Sequence, residues 1–153
     1  MARRKKSPNH PFRSLYEEKI GQWLKENKIK YEYEARKFEY HETLRKNRAK
    51  CRDCGSTNLV RYAWYTPDFF VGYHVIIEAK GRFTAADRRK ILAARESVPE
   101  LNKKLVMMCM RNNKLNRRAN STYTDWCATH GIDCIVGTTL KEAWLGESYG
   151  NNS

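Results

Sequence analysis

Residues 62–80 constrain the fold more than any other part of the chain, because they predict two strands joined by one tight turn. Two runs rich in aromatic and β-branched residues, 62–70 and 73–80, meet near Gly72. Such runs with a glycine between them are typical of a β-hairpin. Three charged residues interrupt the otherwise apolar segment YTPDFFVGYHVIIEAKG. A reversal centred in the turn brings the two acids of this segment, Asp68 and Glu78, opposite one another.

The rest of the chain predicts helices and strands on either side of this hairpin. Helices are expected at 14–27, 84–97, 122–130 and 140–145, and further strands at 29–40, 105–110 and 132–136. Residues 41–61 show neither period and are expected to form an insert. This order predicts an α/β sheet with helices on its faces. We expect residues 12–145 to form the folded domain, with a basic flexible arm at 1–11 and a flexible tail at 146–153.

The charge of the chain is strongly unbalanced. Its 153 residues include 30 lysines and arginines against 17 aspartates and glutamates, which gives a formal net charge of +13. Such a charge attracts polyanions, and it favours nucleic acid over a small-molecule substrate. No segment approaches the eighteen or so consecutive apolar residues of a membrane span, and no apolar run follows the basic N-terminus. We therefore expect a cytoplasmic protein with no membrane partner.

The charged residues of the hairpin are candidates for a metal-dependent site. Glu78 and Lys80 are two residues apart, so they project from the same strand face. Two neighbouring carboxylates repel each other, but Mg²⁺ binds oxygen ligands of this kind. Lys80 can then orient an attacking water, and Pro67 fixes the backbone before Asp68. The alternative is that Asp68 closes a turn while Glu78 and Lys80 form a solvated strand face.

The same residues carry a family resemblance. Pro67-Asp68, a short hairpin and then Glu78-x-Lys80 resemble the signature of the PD-(D/E)xK nuclease superfamily. The segments FRSLYEEKIGQWLKENKIKYEYE, YTPDF, EAKG and DRRKILAARESVPEL are together similar to the bacteriophage endonuclease I family, the Holliday junction resolvases of T-odd phages. The resemblance covers residues 12–145 apart from the insert.

This resemblance implies a fold, an activity and an assembly. The implied fold is a mixed central sheet flanked by helices. The implied activity is a structure-selective endodeoxyribonuclease that resolves four-way and other branched DNA junctions by metal-dependent phosphodiester hydrolysis. The family also implies a domain-swapped homodimer, in which the first helix and strand of one chain complete the active site of the other.

The resemblance further implies the residues of the active site. Asp68 and Glu78 match the shared ligands of two Mg²⁺ or Mn²⁺ ions per site, and Lys80 matches the catalytic lysine. Glu17 matches a ligand that reaches the second ion, and Glu32 matches a further acidic member. Two ions would activate the water and stabilise the leaving oxygen.

Two of these acids also have plainer interpretations. Ser14 and Glu17 fit a helix capping box, in which the Glu17 carboxylate would accept the backbone N–H of Ser14. Against this, Glu17 shares a helix face with Ile20 and Leu24 and so lies at the edge of the packed surface. Glu32 alternates with apolar neighbours on a predicted strand, where it also fits an ordinary solvated face.

Basic residues occur in several segments that are candidates for phosphate contacts. Junction resolvases hold duplex arms mainly at the phosphate backbone, and each segment alone also fits a solvated face. The candidates in the arm are Arg3, Arg4, Lys5 and Lys6, and those in the insert are Arg45, Lys46, Arg48 and Lys50. After the strand that carries Lys80, the candidates are Arg82, Arg88, Arg89 and Lys90, and a later loop adds Arg117 and Arg118. As a set they predict an affinity for DNA that falls steeply with salt.

The insert is longer than the family pattern by about one hairpin, and it contains the sequence Cys51-Arg52-Asp53-Cys54-Gly55. This resembles one knuckle of a zinc ribbon, whereas a structural zinc site needs four ligands. Within one chain, a zinc site at Cys51 and Cys54 would require His41 or another of the cysteines as a further ligand. Across a dimer, two knuckles could share one Zn²⁺. The alternative is two free or redox-sensitive thiols. The remaining cysteines, Cys109, Cys127 and Cys134, lie in apolar contexts and are expected in the core.

Two other functions fit parts of the same sequence. One is a restriction- or transposase-type endonuclease of the same superfamily, which would cut ordinary duplex DNA. The other is a non-catalytic, zinc-containing DNA-binding protein, in which the basic segments matter and the acids do not.

Overall fold

The computed structural model describes residues 11–44, 51–56 and 59–144. It contains four α-helices, seven strands and one short 3-10 helix within these ranges. The helices are α1 (Leu15–Glu26), α2 (Ala85–Ser97), α3 (Pro99–Lys104) and α4 (Tyr123–Thr129), and the 3-10 helix is Glu142–Trp144. The strands are β1 (Tyr31–Tyr33), β2 (Phe38–Thr43), β3 (Val60–Tyr65), β4 (Phe69–Val71), β5 (Val75–Lys80), β6 (Leu105–Cys109) and β7 (Asp133–Val136).

Five strands form a mixed central sheet in the order β1-β4-β5-β6-β7. The first three are antiparallel neighbours, and β5, β6 and β7 run parallel. Every residue of β6 is buried, as the uninterrupted apolar run predicts for a strand covered on both faces. The α/β architecture with a mixed sheet is therefore confirmed.

Helices cover both faces of this sheet. On one face, Ile20 and Leu24 of α1 pack against Phe69, Ile77 and Met108. On the other face, buried residues of α2, α3 and α4 join a second cluster that includes Phe70, Ile76 and Met107. The alternation of side chains along β4 and β5 separates the two clusters. In this chain α1 and β1 pack onto the sheet of their own chain.

The two longest predicted strands each break into two. The expected strand at 29–40 ends at Tyr33 because Glu34 adopts a left-handed backbone conformation with φ of 47°, which a continuous strand cannot include. The expected strand at 62–70 breaks at 66–68, where Pro67 has no N–H to donate to a sheet ladder. The pieces β2 and β3 pair with each other as a separate antiparallel ribbon. The insert is accordingly shorter than predicted, since β2 extends to Thr43 and β3 begins at Val60.

The helix ends follow their capping residues. Ser14 and Thr84 accept the backbone N–H of the residue three positions on. Helix α1 ends at Glu26 with Asn27 as its C-cap residue, close to the predicted end at 27. Helix α3 was not predicted; it begins with Pro99 at its first position, where a missing N–H costs nothing. The helix expected at 140–145 is instead the short 3-10 helix, and position 145 lies outside the described residues.

The β2–β3 ribbon packs one face against the second cluster through Tyr40 and Tyr65. Its other face exposes Val60, Tyr62 and Trp64. Among the described helices, none is long and apolar enough to cross a bilayer. The arm at 1–11, except its last residue, and the tail lie outside the described residues, as do the basic insert residues Arg45, Lys46, Arg48 and Lys50.

Candidate active site

Asp68 and Glu78 meet where the β4–β5 hairpin opens. Phe69 pairs with Ile77 in the antiparallel register, so the next position along each strand places Asp68 opposite Glu78. Both residues are buried, with 7% and 6% of their surface exposed. The local hairpin spacing thus brings the two acids together as the sequence predicts.

The Asp68 carboxylate is fixed to the neighbouring strand. Its Oδ2 accepts the backbone N–H of Ala79 at 2.7 Å. Burial raises the pKa of Asp68 well above its usual range, and the nearby charge of Glu78 raises it further. The Ala79 N–H and the Lys80 ammonium oppose this shift, and the charge of Glu17 adds to it. Ionising Asp68 is therefore unfavourable unless a cation joins the site.

Glu78 is held by two neighbours, one on each oxygen. The buried hydroxyl of Tyr65 donates to Oε2 at 2.7 Å, and the Lys80 ammonium lies 3.0 Å from Oε1. Burial and the charge of Glu78 raise the pKa of Tyr65 well above its usual value, which keeps the hydroxyl protonated as a donor. Tyr65 was not predicted as a site residue; its position three residues before Asp68 in YTPDF was the available signal.

Lys80 bridges the site to the following helix. Its Nζ lies between Glu78 and Oδ1 of Asp87, which is 3.2 Å away. Burial alone would lower the pKa of Lys80, but the charges of Glu78 and Asp87 outweigh it and raise that pKa. The lysine is therefore a fixed cation. Asp87 was also missed, because as the third residue of α2 it fits the capping box with Thr84, which it does form.

Glu17 lies in the first turn of α1 and is buried. Its Oε1 accepts the hydroxyl of Ser14 at 2.9 Å, and its Oε2 accepts the hydroxyl of Tyr33 at 2.6 Å and the N–H of Arg13 at 3.0 Å. The plainer capping interpretation is thus modified, because the carboxylate accepts the N–H of Arg13 rather than that of Ser14. Its charge still acts on Asp68, so Glu17 belongs to the same electrostatic site.

Glu32 is placed apart from the other acids. It pairs with Phe70 in the β1–β4 register, and its side chain is exposed. The backbone of Glu34, in contrast, contacts Asp68 directly, because its N–H donates to the carbonyl of Asp68 at 2.8 Å. The carboxylate of Glu34 is ion-paired with Arg13. No hydrogen bond or ion pair within the described ranges joins Glu32 to Asp68 or Glu78.

The donor set at Asp68 and Glu78 fits Mg²⁺. Among the residues that the structure describes, none forms a hydrogen bond with Oδ1 of Asp68, which leaves this oxygen available to a cation. Across 11–44, 51–56 and 59–144, no three His, Cys, Asp or Glu side chains lie close enough to form a metal cage. Mg²⁺ needs no such cage, because it takes one or two carboxylates and completes its shell with water and substrate phosphate.

A basic groove begins two residues after Lys80. It has a volume of about 530 Å³ and is lined by Arg82, Arg88, Lys114 and Arg117, together with uncharged residues and the N-cap Thr84. No acid is among its lining residues. Arg88 also donates to the carbonyl of Phe83 at 2.8 Å. Lys114 was not predicted, because a single lysine in a loop carries no pattern.

The other predicted basic residues do not line this groove or lie outside the described residues. Lys90 lies over the ring of Tyr65 at 5.3 Å, and Arg89 is exposed on α2 beside the β2–β3 ribbon. Arg3, Arg4, Lys5 and Lys6 lie outside the described residues. Of the cysteines, Cys109 and Cys127 are buried in the core with Cys134 packed against them, as predicted.

Comparison with known proteins identifies a family for this chain. The family model described as Phage endonuclease I matches residues 56–151. Endodeoxyribonuclease 1 of Enterobacteria phage T3 is 35% identical over 121 residues, which cover 79% of this chain and 68% of the relative. Endonuclease I of Escherichia phage T7 is 32% identical over 136 residues, which cover 89% of this chain and 79% of the relative. The chain belongs to the phage endonuclease I family.

Proposed function

We propose that this protein is an endodeoxyribonuclease that resolves four-way and other branched DNA junctions by Mg²⁺-dependent hydrolysis of phosphodiester bonds. The names of its phage relatives, Endodeoxyribonuclease 1 and Endonuclease I, support the cutting of DNA. Because those relatives belong to bacteriophages, the protein would act in the cytoplasm of an infected bacterium.

One observation carries the catalytic part of the proposal. Asp68 and Glu78 are buried opposite one another, with Lys80 beside them. Two carboxylates in this position destabilise the fold when both are charged, and one lysine that is also shared with Asp87 offsets only part of that cost. A divalent cation between them would remove it and would bring a phosphate to the same place.

Each residue then has a physical task. Oδ1 of Asp68 and the carboxylate of Glu78 would hold the ion, which when bound activates water and stabilises the charge that develops on the phosphate. Lys80, charged and fixed at two points, would orient the attacking water and face the phosphate oxygens. Tyr65 and Asp87 would hold Glu78 and Lys80 in their orientations, as positioning residues rather than catalytic ones.

A second ion would involve Glu17. Its two oxygens already accept hydrogen bonds from Ser14, Tyr33 and Arg13, so it would reach an ion through a second lone pair or through a bridging water. We propose that Glu17 is the acid that reaches the second ion and that Glu32 is a further acidic member of the active site.

Branch selectivity would come from a homodimer with two sites at a fixed spacing. In the family arrangement, α1 and β1 would be exchanged between chains, and the contacts that they make here within one chain would be made to the partner instead. The link at 34–37, which includes the left-handed Glu34, is where the chain would change its path.

A cleavage assay tests the proposal. A labelled four-way junction and a matched linear duplex are incubated with the protein in Mg²⁺ or in EDTA. Cleavage of the junction alone, only with Mg²⁺, supports the proposal. Equal cutting of the duplex would indicate a duplex endonuclease, and binding without cutting would indicate a non-catalytic protein. Asp68→Asn is the matched control, because it removes one charge at nearly constant volume.

A further inference from the structure

The Cys51–Cys54 segment forms a tight turn between the two strands of the β2–β3 ribbon. The N–H of Gly55 donates to the carbonyl of Cys51 at 2.9 Å, and the N–H of Cys51 donates to the carbonyl of Ser56 at 2.9 Å. Gly55 has φ of 68°, a left-handed conformation that favours glycine. A bond from Leu44 N–H to the carbonyl of Leu59 extends the ladder beyond β2 and β3 toward the turn. We call residues 51–56 the knuckle.

The knuckle places two cysteines at the spacing of a zinc-ligand pair. Cys51 and Cys54 are separated by two residues, which is the spacing at which many structural zinc sites supply two of their thiolate ligands. Cys54 is exposed and Cys51 is half-buried, so both sulfurs can be reached from outside the chain.

One chain provides only two ligands for a site of this kind. Structural Zn²⁺ is bound tetrahedrally by four ligands, most often thiolates and imidazoles. Within the described parts of the chain, no third His, Cys, Asp or Glu joins Cys51 and Cys54. His41, the nearest histidine in sequence, is engaged by Ser97 and lies beside the ring of Tyr62. The other three cysteines belong to the core.

We propose that the knuckles of two copies of this chain bind one Zn²⁺ ion, with Cys51 and Cys54 of each copy as its four ligands. A twofold axis through the ion relates two identical ligand pairs, as in the commonest homodimers. The site needs two copies of the chain but does not depend on the proposed nuclease activity.

The ribbon beside the knuckle supports a second copy as the partner. Val60, Tyr62 and Trp64 alternate along β3 and so share one face, with 46%, 68% and 55% of their surface exposed. An exposed row of large apolar side chains of this kind suits a protein–protein contact. It starts at the knuckle end of β3, so two ribbons joined through their knuckles would cover each other's rows. Six ladder pairs extend roughly 20 Å, which gives each ribbon a long contact.

Metal analysis of the full-length protein tests the site. The protein is purified under reducing conditions without chelator, and zinc is measured per chain alongside the mass of the particle in solution. We expect one zinc per two chains in a dimer. Cys51→Ser and Cys54→Ser should each lose the zinc, whereas His41→Ala and Cys134→Ser, the matched controls, should keep it. Because Cys54 is exposed, its variant should fold, which circular dichroism checks.

Replacement of zinc by Co²⁺ counts the sulfurs. Four thiolates in a tetrahedral site should give a strong sulfur-to-cobalt charge-transfer band. The intensity of this band per bound Co²⁺ ion should be about half as large when only two sulfurs bind. One metal per monomeric chain would overturn the shared site. Absence of metal, whether the thiols are free or joined as a disulfide, would overturn it as well. These measurements use no DNA, so they stand apart from the cleavage assay.

Discussion

The side chain of Asp68 accepts a hydrogen bond from the backbone N–H of Ala79 at 2.7 Å. Asp68 directly precedes β4 and is thereby bonded to β5, the strand that carries Glu78. The backbone N–H of Asp68 also donates to the carbonyl of Ile77 at 3.0 Å. Two bonds therefore hold the aspartate against β5 without any metal. The protein keeps the two carboxylates close together, and the electrostatic cost of that arrangement is built into its fold.

Asp68→Asn should stabilise the metal-free protein at neutral pH while abolishing cleavage. The raised pKa of Asp68 means that the folded state binds its proton more tightly than the unfolded state. Stability is therefore lost as pH rises from about 4, the unfolded value, through the folded pKa. Asparagine cannot ionise and avoids this loss, and its side-chain oxygen can still accept the Ala79 N–H. We expect a gain of about 1 kcal/mol, the usual size for a single stabilising substitution.

Urea unfolding in EDTA between pH 4 and pH 8 measures this difference. The two proteins should converge at the acid end, where the aspartate is neutral as well. Added Mg²⁺ should stabilise only the wild type, because binding to the folded state alone raises its stability. If Asp68→Asn were less stable than the wild type at neutral pH, the ionised Asp68 would not destabilise the metal-free fold.

Asp87→Asn should lower the cleavage rate by about tenfold, since a modest misplacement of a catalytic group has effects of this order. Asp87 supports the raised pKa of Lys80, so the alkaline limb of the pH–rate profile should move to lower pH. A purely structural defect would not move that limb.

Asp125→Asn is the matched control for this change. Asp125 occupies the same position in the capping box of α4, bonded to Thr122, and has no described contact with Lys80. It should disturb the start of its helix in the same way as Asp87→Asn and leave the pH–rate profile unchanged. Equal profiles for both variants would remove the positioning role of Asp87.

Tyr65→Phe should weaken the response to Mg²⁺. It removes the donor to Oε2 of Glu78 and leaves that carboxylate held only by Lys80. Loss of a residue that orients a metal ligand typically costs about 10- to 100-fold in metal affinity, so the Mg²⁺ concentration for half-maximal cleavage should rise by about tenfold. Tyr40→Phe, in the same buried cluster and not bonded to Glu78, should leave the Mg²⁺ dependence unchanged; equal shifts in both variants would point to general core damage.

The sequence predicted the local part of this site and missed the part made by tertiary packing. Asp68, Glu78 and Lys80 lie on one hairpin, where the side-chain period of two fixes their relative positions. Tyr65 reaches Glu78 from a separate ribbon, and Asp87 reaches Lys80 from a helix. Their side chains fit ordinary strand and capping roles, and only the position of Tyr65 shortly before Asp68 gave a sequence signal for either of them.

The breaks in the strands were missed for a related reason. Alternation correctly placed Tyr31 and Tyr33 on one face, where both rings contact Phe69, but it does not report where a backbone turns. The left-handed Glu34 is an uncommon conformation for a glutamate, and its side chain is ion-paired with Arg13 from another element. The helix starts at Ser14 and Thr84, in contrast, depend on neighbours three residues away, and both helices begin where the sequence predicts.

The basic groove should bind DNA through its phosphates. Arg82, Lys114 and Arg117 line it, and replacing each by alanine should weaken binding to a junction and to a duplex alike. Each replacement should also reduce the slope of log affinity against log salt by about 1, because one phosphate contact is lost. Fluorescence anisotropy in EDTA at several salt concentrations measures both. Lys103→Ala is the control, because Lys103 is exposed on α3 outside the groove and its replacement makes the same charge change. This variant should leave the slope unaltered. If all four variants behave alike, the groove binds no phosphate and only the net charge of the protein matters.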